Sequence, residues 1–406
     1  MANTLNLGDG QWARKEGSLL AYNSENGNYK PLPFTFDRAS SATRVNKDGL
    51  IETVGADQPR IDFLNDSNGA LLLEPQRAND LQRSQEFDNA YWTKYQTSVS
   101  ANSSISPDGT LNADKLIEDN SNSSHQLGRP ISYNSGTTYV VSVFAKSSDR
   151  NLQITAGNPN TFPAQAIFDL SNGTVLNSTL GNASIEKFNN QWYRCIITAT
   201  ALVTSTTNIN FGLINGSTSS YSGNGVSFVE LFGAMREQGS YATSYIPTQG
   251  SAVTRVAEQG IDGGAGVPIF SNTSAVWFID LERIGVDTDS SGSAIALRNS
   301  SFSQQIRLHF DAPNPNIRFR DGLNGFATIG TITGMSAGVR KKIALRIDGS
   351  TLSTFANGSK IGSDYTAPST FNIDEIDFST LGFKIHDMRF NNEALTDQEL
   401  INLTTI

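Results

Sequence analysis

The chain has 406 residues, which suits two or three domains and is too long for a single ordinary core. Its net charge is −9 at pH 7 and its basic residues form no stripe, so the composition disfavours nucleic-acid binding, which requires a basic face. A single cysteine, Cys195, excludes an intrachain disulfide, and the low charged fraction of 17 % is typical of extracellular or virion β-proteins.

The first part of the chain, residues 1–80, contains short apolar runs that Pro, Gly, Asn or Asp residues interrupt. Each run is too short to form a core, so we expect an irregular N-terminal anchoring arm made of edge strands. Its apolar side chains lack local chain to bury them and therefore predict an interface. They are Phe34, Phe36, Leu71, Leu72 and Leu73. The arm thus predicts a homo-oligomer, with a trimer favoured, or docking to another protein.

Residues 81–250 alternate apolar runs with turns, which is the pattern of a jelly-roll β-sandwich like those of carbohydrate-binding modules. The run TYVVSVFAK (138–146) is continuous enough for a buried strand, and Asn172-Gly173 predicts a type I′ hairpin turn. Cys195 lies on the apolar face of the run WYRCIITAT, so we interpret it as an inert core residue rather than a nucleophile.

Residues 251–406 contain further alternating apolar runs and predict a second β-sandwich. Two tight turns, at Asp348-Gly349 and Asn357-Gly358, predict a meander of three strands. The segment GSAVTRVAEQGIDGGAGVP (250–268) is rich in glycine and lacks an apolar period, so we expect a linker there. The chain from residue 258 onward is then expected to fold alone.

The end of the chain carries two local signals. The alternation of apolar residues slips at His386–Asp387, which predicts a β-bulge. In EALTDQELINL, Thr396 is placed to cap a short helix, and Glu399 three residues later completes a capping box. No long helical period occurs elsewhere, so the sequence predicts an all-β chain with an arm, a central jelly roll and a C-terminal sandwich.

Six segments stand out as an ordered set: FDRASSATRVNKDGLIETVGADQPRIDF (36–63), LLLEPQRAND (71–80), EFDNAYWTKY (86–95), SPDGTLNADKL (106–116), NNQWYRCIITAT (189–200) and GAMREQGSYATSYIPT (233–248). In this order and spacing they resemble segments of bacteriophage tail-fibre and head-fibre-like virion structural proteins. The C-terminal strand–NG–strand pattern, followed by LTDQEL, resembles laminin-G-like and concanavalin A-like lectin domains. The resemblance implies a structural protein of the virion, with other virion proteins as partners.

The sequence context agrees with a virion location. The N-terminus MANTLNLGDGQW has neither the basic nor the apolar region of a signal peptide. No apolar run approaches the ~18 residues that a membrane-spanning helix needs. We therefore expect synthesis in the host cytoplasm and no membrane insertion.

Catalytic motifs are missing from the sequence, which contains no GxSxG, HExxH or P-loop pattern. The three histidines, His125, His309 and His386, are scattered and lack the spacing of metal ligands. We therefore expect no catalytic residue, no enzymatic activity and no required cofactor. A catalytic pair of carboxylates, as in glycosidases, is an alternative that the missing motifs leave open, because such enzymes need only two acidic residues.

Carbohydrate binding is the sharper functional interpretation. Sugar recognition uses an aromatic face for the apolar side of the ring, with polar partners for the hydroxyls. The candidates are aromatic residues in predicted loops with polar neighbours: Tyr133, Phe162, Tyr221, Phe302, Phe326 and Tyr365. For each of them the alternative interpretation is packing at the edge of a sandwich or a contact within an oligomer. Trp92 and Trp192 are assigned to the core instead.

A calcium ion is the one metal that the sequence suggests. Asp287 and Asp289, in GVDTDSSGS, could offer oxygens to calcium at the rim of a lectin-like sandwich. The loop has no full ligand set, and Asp-rich turns are common without metal.

Together these observations predict a bacteriophage virion structural protein, of the fibre, spike or surface-decoration type, that binds a host-surface polysaccharide. Two alternatives stay open. The first is a purely structural capsid or tail component with no ligand. The second is a tail-associated glycan hydrolase.

Overall fold

The computed structural model describes residues 4–15, 18–31, 35–264, 271–285, 294–310, 315–321, 325–368, 370–378 and 382–406. Strands make up 58 % of the chain and helix 3 %, and the strands form several antiparallel sheets, so the prediction of an all-β sandwich fold is confirmed. No helix among the described residues is long and apolar enough to cross a membrane.

The first strands are β1 (Thr4–Gly8), β2 (Ala13–Lys15), β3 (Ser18–Asn23), β4 (Asn28–Pro31), β5 (Thr35–Asp37), β6 (Ala42–Val45), β7 (Ile51–Val54), β8 (Arg60–Asp62), β9 (Ala70–Leu73) and β10 (Arg77–Asn79). The central strands are β11 (Thr93–Tyr95), β12 (Thr97–Ile105), β13 (Leu111–Glu118), β14 (Asn122–Tyr133), β15 (Thr138–Ser147), β16 (Asn151–Ala156), β17 (Ala164–Asp169), β18 (Thr174–Leu180), β19 (Asn182–Lys187), β20 (Tyr193–Thr200), β21 (Ser205–Ile214), β22 (Ser220–Ser222), β23 (Phe228–Gln238) and β24 (Val253–Arg255). The last elements are β25 (Gln259–Gly263), β26 (Ser274–Arg283), β27 (Ala294–Arg298), β28 (Gln304–His309), β29 (Asn316–Asp321), β30 (Ala327–Thr331), β31 (Arg340–Asp348), β32 (Thr351–Ala356), β33 (Ser359–Thr366), β34 (Glu375–Phe378), β35 (Phe383–Asn391) and the helix α1 (Asp397–Thr404).

The chain divides into two compact units, neither of which is continuous in sequence. Unit 1 comprises Met1–Ser41, Val54–Gln76 and Val256–Ile406, and unit 2 comprises Ala42–Thr53 and Arg77–Arg255. This division differs from the three consecutive segments 1–80, 81–250 and 251–406 that the sequence suggested.

The difference arises from strand pairing between distant parts of the chain. β1 and β9 both pair with β35, and β5 pairs with β25, so the expected arm contributes strands to the sheets of unit 1. Phe36, Leu71, Leu72 and Leu73 are buried there, and Phe34 lies outside the described residues. Phe36, Leu71, Leu72 and Leu73 therefore supply no exposed apolar patch.

Unit 1 is a sandwich of an 11-stranded and a 7-stranded sheet. The larger sheet has the order β2-β3-β1-β35-β26-β31-β32-β33, with β4 beside β3 and the pair β8–β9 beside β35. The smaller sheet has the order β30-β29-β28-β27-β34-β25-β5. Alternate residues of both sheets, such as Trp277 and Ile279 of β26 and Ile306 and Leu308 of β28, form the core.

Unit 2 is a sandwich of a 7-stranded and a 6-stranded sheet, with short two-stranded pairs β6–β7 and β10–β24. The first sheet has the order β11-β14-β21-β16-β17-β18, with β22 beside β14, and the second has the order β12-β13-β23-β15-β20-β19. Trp92, Trp192 and Cys195 are buried, as predicted. Burial raises the pKa of the Cys195 thiol, which makes it a poor nucleophile.

Several local predictions are confirmed. Thr396 caps α1 by accepting a hydrogen bond from the Glu399 backbone N–H, and the capping box is complete. Asp280 pairs with Asp387 and Leu281 with Ile385, so His386 is the extra residue of a bulge. Strands β31, β32 and β33 form the predicted meander. Asn357 and Gly358 have φ angles of 46° and 74°, as a type I′ turn requires.

Two local predictions are wrong. Between β17 and β18 only Gly173 has a positive φ, 66°, and the Asp169 carboxylate accepts hydrogen bonds from the backbone N–H groups of Ser171 and Asn172, so the turn is longer than a type I′ turn. The glycine-rich segment 250–268 contains β24 and β25 rather than a plain linker. β24 pairs with β10, and β25 with β5 and β34, partners that are far away in sequence.

Candidate functional site

The outer surface of the 7-stranded sheet in unit 1 carries a concentration of arginine and phenylalanine. On β27, β28 and β29 alternate residues enter the core, namely Ile295, Leu297, Ile306, Leu308, Ile317 and Phe319. The residues between them point the other way, as the two-residue period of a strand requires. We call the resulting surface the Arg–Phe face. It comprises the outward-pointing strand residues Arg298, Gln305, Arg307, Arg318 and Arg320, together with Phe302 between β27 and β28 and Phe326 just before β30, whose rings lie against the arginines.

The strand register places like charges side by side on this face. Arg307 on β28 lies directly opposite Arg318 on β29, and Gln305 lies between Arg298 and Arg320 in the neighbouring row. Like charges in opposite positions destabilise an antiparallel pair. The register therefore places two guanidinium groups in neighbouring positions on this face.

Arg298 is the fixed member of the face. It is buried and forms ion pairs with Asp262 (2.6 Å), Glu375 and Asp377. Burial works to lower the pKa of Arg298, but the carboxylates, above all Asp377, outweigh it and raise the pKa. Its guanidinium carbon lies 4.0 Å from the centre of the Phe302 ring, within the range of a cation–π contact.

Phe302 is held in an unusual position. Its φ angle is 56°, a left-handed conformation that is costly for a bulky side chain, and its side chain is 47 % exposed. Its carbonyl accepts hydrogen bonds from Gln305 Nε2 (2.9 Å) and from Arg320. The turn thus presents an aromatic ring to solvent at an energetic cost, which is common at functional sites.

Arg307 and Arg320 lie around the second ring, Phe326, at 4.9 and 5.3 Å from its centre. Burial first, and then the charge of Arg320, lower the pKa of Arg307, while Asp377 works in the opposite direction. The Nε–H group of Arg307 donates a hydrogen bond to Gln305 Oε1 at 2.6 Å. The Nε atom of Arg320 is buried and has no hydrogen-bond partner among the described residues. Neither arginine forms an ion pair within the part of the chain that the structure describes.

Phe302 and Phe326 are thus the two predicted sugar-binding residues that the fold brings together. Tyr365 is half-buried on β33 and packs 5.6 Å from Phe319 at the edge of the core, outside the Arg–Phe face. The arginines were missed by the sequence reasoning. The alternation of Arg with apolar residues in QQIRLHF and NIRFRDG was the available signal.

The three candidates in unit 2 do not offer a ring to a ligand. Tyr133 and Phe162 are fully buried and stack on each other with ring centres 4.3 Å apart. Tyr221 is buried as well, and its hydroxyl donates to Glu118 at 2.6 Å. Their polar neighbours in sequence suggested loops, but these rings complete the core or an internal hydrogen bond.

The expected metal ligands, Asp287 and Asp289, lie outside the described residues. Within the described ranges, no group of three or more His, Cys, Asp or Glu side chains is arranged to hold a metal ion.

A second polar feature of unit 1 is a charged cleft of about 390 Å³, where Asp280 and Asp387 lie directly opposite each other. Arg340 donates to both oxygens of Asp280, at 2.7 and 2.9 Å, and Arg389 donates to Asp387 at 2.7 Å. Burial, which Arg389 offsets only in part, raises the pKa of Asp387.

No protein-family model matches the chain, and no curated protein matches it. Among solved structures, it is similar to the binding domain of Paraclostridial Mosquitocidal Protein 1, at 16 % identity and a TM-score of 0.30, over 38 % of this chain and 43 % of that one. The chain thus spans less than half of that structure. It is also similar to the sialidase of Trypanosoma rangeli, at 9 % identity and a TM-score of 0.27, over 98 % of each chain. At these TM-scores neither similarity bears on function.

Proposed function

We propose that this chain is a bacteriophage virion surface protein, of the fibre, spike or decoration type, that binds a host-surface glycan through the Arg–Phe face. The virion role is supported by the ordered set of segments between residues 36 and 248 that resemble such proteins. The glycan-binding role is supported by one observation above all. The exposed ring of Phe302 stands beside clustered guanidinium and amide donors.

This arrangement matches the chemistry of a sugar. The apolar side of a pyranose stacks on an aromatic ring, and its hydroxyls accept hydrogen bonds from planar N–H donors. Phe302 and Phe326 supply the rings, and Arg307 and Arg320 supply donors within a few ångströms of Phe326.

A single glycan site made of one or two stacking rings binds weakly, so the proposal includes several copies of the chain acting together. We propose a homo-oligomer, with a trimer favoured, in which avidity multiplies the individual affinities. Sedimentation of the purified protein measures the number of copies.

The test of glycan binding compares two variants at exposed apolar side chains. Phe302→Ala removes the ring from the face, and Leu111→Ala, at a 60 % exposed position in unit 2, is the matched control. We expect Phe302→Ala to weaken adsorption of the protein to host cells about tenfold or more, from a loss of ~1–3 kcal/mol of apolar contact. Leu111→Ala is expected to leave adsorption unchanged, and thermal unfolding confirms that both variants fold.

Adsorption that is equal for wild type and Phe302→Ala, together with a blank glycan array, would replace the lectin proposal by a purely structural role. The virion role has its own test. Mass spectrometry and antibody labelling of purified particles would detect the chain as a stoichiometric component, and its absence from particles would overturn that part of the proposal.

A further inference from the structure

We infer that the glycan bound by the Arg–Phe face is anionic, bearing carboxylate, sulfate or phosphate groups; this inference rests on the proposed function and names its ligand class.

The first argument is charge. The whole chain is acidic, with a net charge of −9, yet four arginines share one face of three neighbouring strands. Among the described residues, Asp262, Glu375 and Asp377 each pair with Arg298. Arg307 and Arg320 form no ion pair among the described residues, so their charges are not neutralised by a direct carboxylate partner. An anion from outside would relieve the repulsion between Arg307 and Arg320, which lie around the same Phe326 ring.

The second argument is the supply of donors. A guanidinium carries five N–H donors and binds an oxyanion with two of them in parallel. Arg307 uses its Nε for Gln305, and the structure gives its terminal nitrogens no hydrogen bond within the described residues. Contacts with the Phe326 ring hold Arg307 and Arg320 in place without consuming these donors. A sugar whose ring stacks on Phe302 or Phe326 would thus bring an attached acid group within reach of the arginines.

The third argument separates an anionic glycan from a nucleic acid. The face is bordered on one side by Asp262 and Asp377, whose side chains are 49 % and 18 % exposed. These carboxylates would repel a continuous phosphate backbone, and the net charge of the chain adds to this repulsion. Isolated acid groups, spaced along a polysaccharide, can meet Arg307 and Arg320 while neutral sugars cover the acidic border.

The experiment measures binding of the full chain to matched pairs of polysaccharides by calorimetry. Polygalacturonate is compared with its carboxyl-reduced form, dextran sulfate with dextran, and a phosphate-bearing glycan with its dephosphorylated form. At low salt, we expect an acidic polysaccharide that binds to have a dissociation constant about tenfold or more below that of its neutral partner. The preference should shrink as sodium chloride is added, because surface charges are screened. The three pairs show which acid group is recognised.

The variants Arg307→Gln and Arg320→Gln should each reduce the preference for the acidic member, whereas Phe302→Ala should weaken acidic and neutral members alike. Arg307→Lys keeps the charge but not the fork of donors, and should recover only part of the loss. Lys187→Gln removes one positive charge at an exposed position in unit 2, and it should leave the binding of both acidic and neutral polysaccharides unchanged.

The outcomes separate this inference from the proposed function. Neutral members that bind as tightly as acidic ones would overturn the inference and leave glycan binding intact. Failure of every glycan to bind would overturn both. Unchanged binding by the Arg307→Gln, Arg320→Gln double variant, or tighter binding of a DNA oligonucleotide than of any acidic glycan, would also overturn the inference.

Discussion

Four charged side chains in unit 1 are buried so fully that each depends on its partners: Arg38, Arg60, Glu74 and Glu258. Glu258 accepts hydrogen bonds from Arg38 at 2.6 Å and from Arg60 Nε at 2.8 Å, and Arg60 also pairs with Glu74 at 2.8 Å. Burial works to lower the pKa of Arg60, but Glu258 and Glu74 outweigh it and raise the pKa. The cluster is tolerated because its charges are mutually satisfied.

Replacing Glu258 with Gln should therefore be strongly destabilising, because it leaves two buried arginines with one carboxylate. We expect the free energy of unfolding to fall by about 3–5 kcal/mol, measured by urea denaturation. The control is Glu52→Gln, whose partner Arg44 belongs to a more exposed pair and whose loss should cost less than about 1 kcal/mol. Similar losses in the two variants would contradict the role assigned to burial.

The raised pKa of Asp387 predicts a pH dependence. Its folded-state pKa lies above the ordinary value of 3.8, chiefly because of burial, so the folded chain keeps a proton that the unfolded chain has released. Stability should then fall as pH rises from 3.8 through the raised pKa. In Asp387→Asn this contribution is missing, so the melting temperature of the variant should fall less over that window. Parallel melting curves against pH would be inconsistent with a raised pKa.

At the scale of elements, the β17–β18 hairpin rests on one carboxylate. Hydrogen bonds from Ser171, and then from Asn172, lower the pKa of Asp169 to about 2. A depressed pKa gives stability that is present above the ordinary value of 3.8 and is lost as pH falls toward 2. An NMR titration of the carboxyl should show this low midpoint, whereas a midpoint near 3.8 would refute it.

Asp169→Ala tests the energetic side of the same hairpin. Because the turn is exposed, the variant should lose less than about 1 kcal/mol of stability at neutral pH. The difference from wild type should disappear in acid, where both chains lack the carboxylate. Chemical denaturation at two pH values measures it.

The elements show which parts of the structure could be predicted from sequence. The capping box at Thr396 and the bulge at His386 depend on residues close together in the chain, and both predictions hold. The Arg–Phe face depends instead on which strands become neighbours, and the alternation within one strand carries no information about its partner. The prediction that Tyr133 is a loop aromatic is wrong for a related reason. Tyr133 is the last residue of β14, and its side chain is buried because the opposing sheet covers that face of the strand, which the local sequence does not indicate.

At the scale of the whole molecule, the discontinuous units predict how fragments behave. Residues 77–255 contain both sheets and the core of unit 2, so they should unfold cooperatively when expressed alone. Residues 256–406 lack β1, β5 and β9, and Glu258 would lose Arg38 and Arg60. This fragment should therefore be insoluble or molten, contrary to the expectation from its linker-like start. Circular dichroism melting curves of the two fragments decide the point, and a cooperative transition in 256–406 would contradict it.

The pairing of β1 with β35, in which Thr4 lies opposite Asn391, also governs the order of events during synthesis. At ~5–20 residues per second, a ribosome needs on the order of tens of seconds to make the intervening chain. Unit 2 is complete once residue 255 has emerged, whereas unit 1 cannot close until the last strand is released. Through that interval the run Ala70–Leu73 can pair with β8 but not with β35, so one edge of this apolar strand stays open and prone to aggregation. Slower translation at low temperature would lengthen this wait, so soluble yield in recombinant expression should depend on chaperone supply more than on the stability of the finished fold.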